Sequence, residues 1–392
     1  MDFTFTEEQQ AAVEAARAVF SGVEPDGVPS PALTPGAVAE DIDRPLWARL
    51  AAGDLLSLTL AAEHGGAGLD PVALCLVLRE SAKVLARVPL LETCAVAMAL
   101  QRDGDPVLTA ELLPRVGRGE LVLTVGANGR TGHDSAELAV TARRDDTGKN
   151  DRSSSNGGSD SSAWVLDGVQ SGVPWAQSAD WIAVPAHTAD GRAVLALVRR
   201  TDEGVTLAEQ VSTSGELLAE VQLDGVRVED RALINVPGAW EWLRSLLTTG
   251  TCALALGLGE AVLAMTSEYT GKREQFGFPV ATFQSVAVQA ADRYIDLRAM
   301  EVTLWQAAWR ISTGTAGALP VAGDIAVAKI WASDGVRRIV QTAQHLHGGF
   351  GADTDYPLHR FHAWAKQIEL SLGPAAAHEE ALGDLLAAHP LG

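Results

Sequence analysis

Apolar positions along this chain change period twice. Up to about residue 118 they recur at helical spacing: Glu7 to Phe20 is rich in Ala, and Pro45 to Ala62 and Val72 to Arg102 run from amphipathic to apolar. Gly and Pro break these helices at Gly22–Pro35 and Glu63–Pro71. From about 119 to 232 the pattern becomes short runs of Val, Leu and Ile, at Leu121–Val125, Ala163–Leu166, Trp181–Pro185, Ala193–Val198 and Ala219–Val228. Asp167-Gly168, Asp190-Gly191 and Asp224-Gly225 supply turns between them. From Pro237 to near Leu385 the helical period returns, and Ile295, Ala299, Val302, Trp305 and Trp309 follow it.

This order predicts an α+β chain in three parts: an N-terminal helical domain over 1–118, a middle β-barrel-like domain of short antiparallel strands over 119–232, and a C-terminal antiparallel four-helix bundle over 233–392. Two such bundles packing together would make an oligomer core. Arg144 to Ser162, a run of Ser, Gly, Asn and Asp, lacks apolar area to offset chain entropy and is expected to be a mobile hairpin loop. The sequence shows no internal repeat.

Composition narrows the function classes. At 392 residues and 47% apolar content the chain can bury a large core. Its formal charge of −20 repels nucleic acid and anionic membranes, so neither is expected as a partner. No uninterrupted run of about twenty apolar residues predicts membrane insertion, and Met1-Asp2-Phe3 does not open a signal segment. Cys75, Cys94 and Cys252 lie in apolar stretches without metal spacing; they read as buried, inert thiols in a reducing cytoplasm, with no metal expected.

The candidate chemistry is concentrated in two stretches. Lys272-Arg273-Glu274-Gln275-Phe276-Gly277-Phe278-Pro279, leading to Phe283-Gln284, interrupts two helical blocks with a turn. Alone it reads equally well as a solvated helical corner or as a cation and amides placed for a phosphate and a heterocycle. About seventy residues downstream stands Gln344-His345-Leu346-His347-Gly348-Gly349-Phe350-Gly351, where paired glycines let backbone approach a ligand. Arg-x-Gln-Phe-Gly, Phe-Gln and His-Gly-Gly-x-Gly at this separation resemble the acyl-CoA dehydrogenase family. Met1 to Gln9 and Glu63-His64-Gly65-Gly66-Ala67-Gly68-Leu69 extend the resemblance over most of the chain.

The resemblance implies FAD as cofactor, an acyl-CoA substrate and an electron-transfer flavoprotein as acceptor. A carboxylate removes the α-proton while the β-hydride goes to the flavin. An acidic chain binding a polyanionic CoA ester would need a local basic patch. The FAD-binding residues it implies are Arg273, Gln275, Phe276, Gln284, Gly348 and Gly349, with His345 where glutamine is usual. The two positions where family members carry the catalytic glutamate are occupied by Leu372 and Leu247, so no catalytic base is expected. Glu369, Glu241 and Glu260 are the fallback carboxylates, Glu369 first because it precedes Leu372 by three residues.

The flavin-ring signature also departs from the family. Its Thr-Glu-Pro-x-x-Gly-Ser-Asp is matched by Ala127-Asn128-Gly129-Arg130-Thr131-Gly132-His133-Asp134, and its Trp-Ile-Thr by Val173-Pro174-Trp175-Ala176. The retained elements are those that serve a neighbouring subunit's FAD in family oligomers. The chain therefore resembles the non-catalytic partner of a heterotetrameric enzyme of the kind in actinobacterial sterol side-chain degradation. A self-sufficient homotetramer with a displaced base, and an assembly protein without turnover, are the alternatives.

Overall fold

The computed structural model describes residues 4–25, 42–131, 138–145 and 163–390. Most of the predicted 144–162 loop, part of the 22–35 loop, and Gly132, His133 and Asp134 lie outside the described residues.

The first part is helical, and its helices start where the sequence supplies caps. In α1 (Glu7–Phe20), Thr6 and Gln9 form a reciprocal capping box. Asp43, Asp70 and Asp105 cap α2 (Arg44–Ala52), α3 (Pro71–Ala82) and α5 (Pro106–Gly117), each followed by a proline in the first turn. Two predicted helices are shorter than their apolar runs. The 45–62 run stops at Ala52, because Gly53 and Asp54, the latter at φ 56°, turn the chain. The 72–102 run divides into α3 and α4 (Leu90–Asp103), because Leu85 adopts φ 51° and Pro89 precedes α4.

The middle part is one mixed sheet. It comprises β1 (Leu123–Val125), β2 (Val140–Arg144), β3 (Ala163–Pro174), β4 (Trp181–Thr188), β5 (Ala193–Arg199), β6 (Val205–Val211), β7 (Leu217–Glu229) and β8 (Leu233–Ile234). The order is β6-β7-β3-β2-β4-β5-β8. The antiparallel pairings dominate as expected, but β1 and β2 both run parallel to β4, at opposite ends of its edge. Sequence reasoning missed β2, β6 and the short β8; the first two present charged or polar residues to solvent between their apolar ones. Register shifts bend β3 against β7 between Leu166 and Gly168 and between Gln170 and Val173.

The last part is a helical bundle of α6 (Ala239–Lys272), α7 (Gln284–Thr313) and α8 (Val321–His347), completed by α9 (Leu358–Leu370) and α10 (Ala375–Ala388) against α8. A two-residue hairpin, β9 (Glu274–Gln275) with β10 (Phe278–Pro279), joins α6 to α7. α6 is long and apolar enough to cross a bilayer, yet 78% of its most apolar window is buried by the rest of the chain. It is the central helix, and Gly257 lets it press onto α3: a Cβ there would stand 1.9 Å from the Arg79 carbonyl oxygen.

The predicted stripe on α7 splits. Trp305 is buried with Leu297, Met300 and Leu304, whereas Ile295 and Val302 are exposed. The core of α7 lies on the opposite side from the Ile295–Val302 line, which leaves an apolar face outward.

Candidate functional site

The residues singled out by sequence fall in two regions at opposite ends of α6. Leu247 and Lys272 are 25 residues apart on that helix, which is roughly 38 Å at the helical rise.

The first region is a cavity of about 340 Å³ where all three parts meet. The end of α3 and the start of α4 wall one side, with Leu78, Leu90, Leu91 and Glu92. The sheet contributes Val125, Ala127, Asn128, Gly172, Pro174 and Trp175, and the tip between β6 and β7 contributes Ser212, Glu216 and Leu217. Leu247 of α6 and Leu372, just past α9, complete it. Both leucines, separated by more than a hundred residues, thus face the same space. The β6–β7 tip is tied across the cavity by a hydrogen bond from Ser214 to Gln367 of α9.

Leu372 is held in an unusual backbone conformation, φ 58°, followed by Gly373 at φ 98°. An aliphatic side chain in the left-handed region persists only where its surroundings over-determine it. Lys329 of α8, fully buried, supplies that constraint: its Nζ donates to the carbonyls of Ile368 at 3.1 Å and Glu369 at 3.0 Å and to Ser333 Oγ at 2.8 Å. It caps the last turn of α9 from inside the bundle. Burial lowers its pKa to about 8. Beyond the turn, His378 Nε2 donates to the Leu372 carbonyl at 2.9 Å, and burial holds that imidazole neutral by lowering its pKa to about 4.

None of the fallback carboxylates reaches the cavity. Glu369 turns to Lys366 at 2.7 Å and Arg337 at 3.7 Å. Glu260 pairs with Arg79 and, at 3.1 Å, with Lys83; Glu241 is exposed in the first turn of α6. The reason is local for Glu369: its backbone carbonyl accepts from Lys329, and its side chain is held by Lys366 and Arg337.

Two carboxylates that sequence reasoning missed do line the cavity. Burial raises Glu92 to about 7, against weaker pull from its own backbone N–H and the Trp175 indole. Burial also raises Glu216 to about 7 and outweighs the Arg87 guanidinium 3.2 Å away. Neither sits in a motif, so only an acid inside an otherwise apolar helix start, Leu90-Leu91-Glu92, could have signalled the first.

The second region is the far end of the bundle. Arg273, Gln275, Phe276 and Gln284 are all exposed on the hairpin and at the start of α7, with Phe276 at 91% accessibility and φ 54°. The loop after α8 lies beside them. Tyr269, one turn before Arg273, stacks on His347 with centroids 4.4 Å apart and donates its hydroxyl to the His347 carbonyl at 3.2 Å. His347, missed by sequence reasoning, is buried; its Nδ1 donates to Ala343 at 2.7 Å, so Nε2 accepts from the Tyr356 hydroxyl at 3.2 Å. His345, the residue predicted, is exposed on the last turn of α8. Gly348 adopts φ 60°, ψ −129°, and a Cβ at Gly348 or Gly349 would meet nothing within 4 Å. Only glycine takes that conformation readily, and it leaves backbone open to whatever docks there.

The FAD implied by the resemblance fits these regions unequally. The bundle end fits its dinucleotide half: an exposed guanidinium, exposed amides and an open glycine pair share one surface. The cavity does not fit its ring half. Ala127 and Pro174 offer no hydroxyl, the Asn128 amide is turned onto the Gly172 carbonyl at 3.2 Å, and Trp175 stands in the wall. Among the described residues no cluster of His, Cys, Asp and Glu could hold a metal ion, and all three cysteines are buried and free.

Comparisons with known proteins bear on the chain as a whole. Residues 6–120 match the acyl-CoA dehydrogenase N-terminal domain and residues 247–386 the acyl-CoA dehydrogenase C-terminal domain. Acyl-CoA dehydrogenase FadE27 of Mycobacterium tuberculosis is 32% identical over 395 residues, covering all of both chains. The crystal structure of the ChsE4–ChsE5 complex from the same organism contains a chain superposing with a TM-score of 0.86 at 32% identity, again over all of both chains. The Tcur3481–Tcur3483 steroid ACAD gives 0.85 at 35% identity, over 97% of this chain and 98% of that one. FAD is the cofactor of the family to which these relatives point. With both ends of the chain matched, and a full-length relative at this identity, the chain belongs to the acyl-CoA dehydrogenase family.

Proposed function

We propose that this chain is the non-catalytic subunit of a heteromeric acyl-CoA dehydrogenase and completes the FAD site of a homologous partner that carries the glutamate. The observation that carries the reading is the pairing of Leu247 and Leu372 on one cavity that lacks a base at either position. Leucine can neither take nor give a proton. The dinucleotide-facing set, which departs from the family only at His345, is by contrast on the surface, where a neighbouring subunit could use it.

The outward apolar face of α7 supports assembly. Val288, Ile295 and Val302, 47–62% exposed, stand at seven-residue intervals, the spacing of a helix packed along another bundle. We assign residues 1–118, 119–232 and 233–392 to the three domains. Because similar chains include those of the ChsE4–ChsE5 complex and a steroid ACAD, a steroid-type acyl-CoA is our substrate class, with an electron-transfer flavoprotein as acceptor. The test is Arg273→Ala in a complex with a glutamate-bearing homologue. Loss of a charge-assisted phosphate contact should weaken FAD retention about 10- to 100-fold. Unchanged flavin stoichiometry and affinity would count against the shared site.

A second reading has one observation in its favour: Glu92 and Glu216 line the cavity, and both titrate near 7, where a general base is useful. It requires steady turnover by the purified chain alone, lost in Glu92→Gln or Glu216→Gln.

A further inference from the structure

Trp175 stands at the junction of two spaces. It lines the apolar cavity of about 340 Å³, and it also lines a polar pocket of about 470 Å³ behind it, which holds Arg44, Gln177, Asp180 and Arg200. Glu216 and Leu217 share both linings, so these three residues form the partition. Trp175 is there at a backbone angle that aromatic residues avoid, φ 58°. The turn that holds it is fixed on both sides. Its carbonyl accepts from Ser178 at 3.0 Å and from Ala179 at 2.9 Å, and Gln177 Nε2 donates to the Leu218 carbonyl at 2.8 Å. Strain of this kind, concentrated inside a cavity, is usually retained for what it does there.

The polar side carries an unsatisfied group. Gln177 Oε1 is buried and has no hydrogen-bond donor among the described residues. A flat heteroaromatic ring with an N–H edge would supply the donor and lay its face against the apolar side, provided the two spaces were one.

We propose that Trp175 is the specificity-determining residue of this chain's own cavity, a wall that keeps out the flat heteroaromatic ring that the joined spaces would hold. The inference rests on the reading of this cavity as the chain's own unused site. It explains the idleness sterically: a missing base removes turnover, and the indole removes the place where the ring would lie. Bulk, not the indole N–H, sets the exclusion, so phenylalanine at 175 should still exclude and glycine, which is relaxed at positive φ, should not.

The test uses riboflavin, the flavin ring without its phosphates, titrated against the purified full chain and followed by quenching of its fluorescence. Riboflavin cannot use Arg273, so the result is independent of the shared-site test. The native chain and Trp175→Phe should show no saturable binding. Trp175→Gly should bind saturably and at least about tenfold more tightly, and Leu217→Ala, which opens the same partition beside the indole, should give a smaller gain. Saturable binding by the native chain equal to that of Trp175→Gly would overturn the proposal. So would the absence of any gain in whichever of the Trp175→Gly and Leu217→Ala chains is folded by circular dichroism.

Discussion

The exposed end of the bundle and the buried cavity are joined by one helix, yet they compare in opposite ways with the pattern of the resemblance. At the bundle end the residues match the family except at His345, and they are solvent-facing and supported from behind: Tyr269, His347 and Tyr356 hold the glycine loop. In the cavity the family's polar groups are gone. Leu247 and Leu372 line it where the resemblance leads one to expect a base, Ala127 and Pro174 offer no hydroxyl, and a tryptophan is held there against its backbone preference. Under the proposed shared-site reading, surface that would serve a neighbour is kept and interior that would serve the chain itself is not. A division of labour between subunits would produce that contrast, whereas general decay would erode both regions.

The largest expected effect concerns turnover. A dehydrogenation without a positioned base forgoes about 10²–10⁴-fold of general-base catalysis. The isolated chain, supplied with FAD and an acyl-CoA, should show no measurable oxidation. Leu372→Glu and Leu247→Glu should not restore it singly, because the ring-side contacts are also replaced and catalysis needs both groups in register. A single glutamate that brought back even slow turnover in a stopped-flow flavin-reduction assay would show that only the base had been lost, and the contrast with the bundle end would shrink to one residue.

The second effect separates the regions by pH. Glu92 and Glu216 hold their protons in the folded chain to about pH 7, while the unfolded chain releases them near its ordinary value of 4.5. At these two groups the folded state therefore binds more protons throughout that window, so their contribution to stability should fall as pH rises through it and level off above 7. Each group contributes at most about 3 kcal/mol, because a tenfold change in proton affinity is worth about 1.4 kcal/mol. Urea midpoints measured from pH 5 to pH 8 should fall for the native chain and fall less for Glu92→Gln, which cannot titrate. The buried His378 imidazole, lowered to about 4, acts in the opposite sense below pH 6.5, so the difference between the two chains is the readout: a Glu92→Gln profile parallel to the native one would mean that water reaches Glu92 in the cavity.

Much of this was legible in the sequence, for reasons that differ by region. Periodicity carried the three-part order, and α1 matched because the Thr6 cap and Ala-rich run agree on the same boundaries. The predicted 72–102 helix failed at Leu85, where tertiary packing imposes a turn that no local glycine announces. The bundle-end residues were readable because they form contiguous motifs. Leu247 and Leu372 were readable only as departures from a pattern, by counting from neighbouring motifs. Glu92, Glu216 and Lys329 were not readable at all: their roles come from burial, and burial at a junction of three parts depends on contacts between residues far apart in the chain. The Ile295–Val302 line is exposed although it keeps helical spacing, because that spacing identifies an apolar face without saying what covers it.

The smallest effect tests whether the bundle end is organised by this chain alone. Tyr356→Phe removes the hydroxyl that donates to His347 Nε2 at 3.2 Å, an interaction worth about 1 kcal/mol. The stack of His347 on Tyr269 at 4.4 Å is untouched, so the loop should loosen without collapsing. Amide exchange at Gly349–Ala352 should accelerate about fivefold, the factor corresponding to that energy for a local opening. The amides lining the cavity should keep their rates, since α6 separates the two regions by most of its length. If exchange at the loop does not change, the Tyr269 stack alone holds it. If exchange rises in both places, the two regions open together, and they cannot have diverged as independently as their side chains indicate.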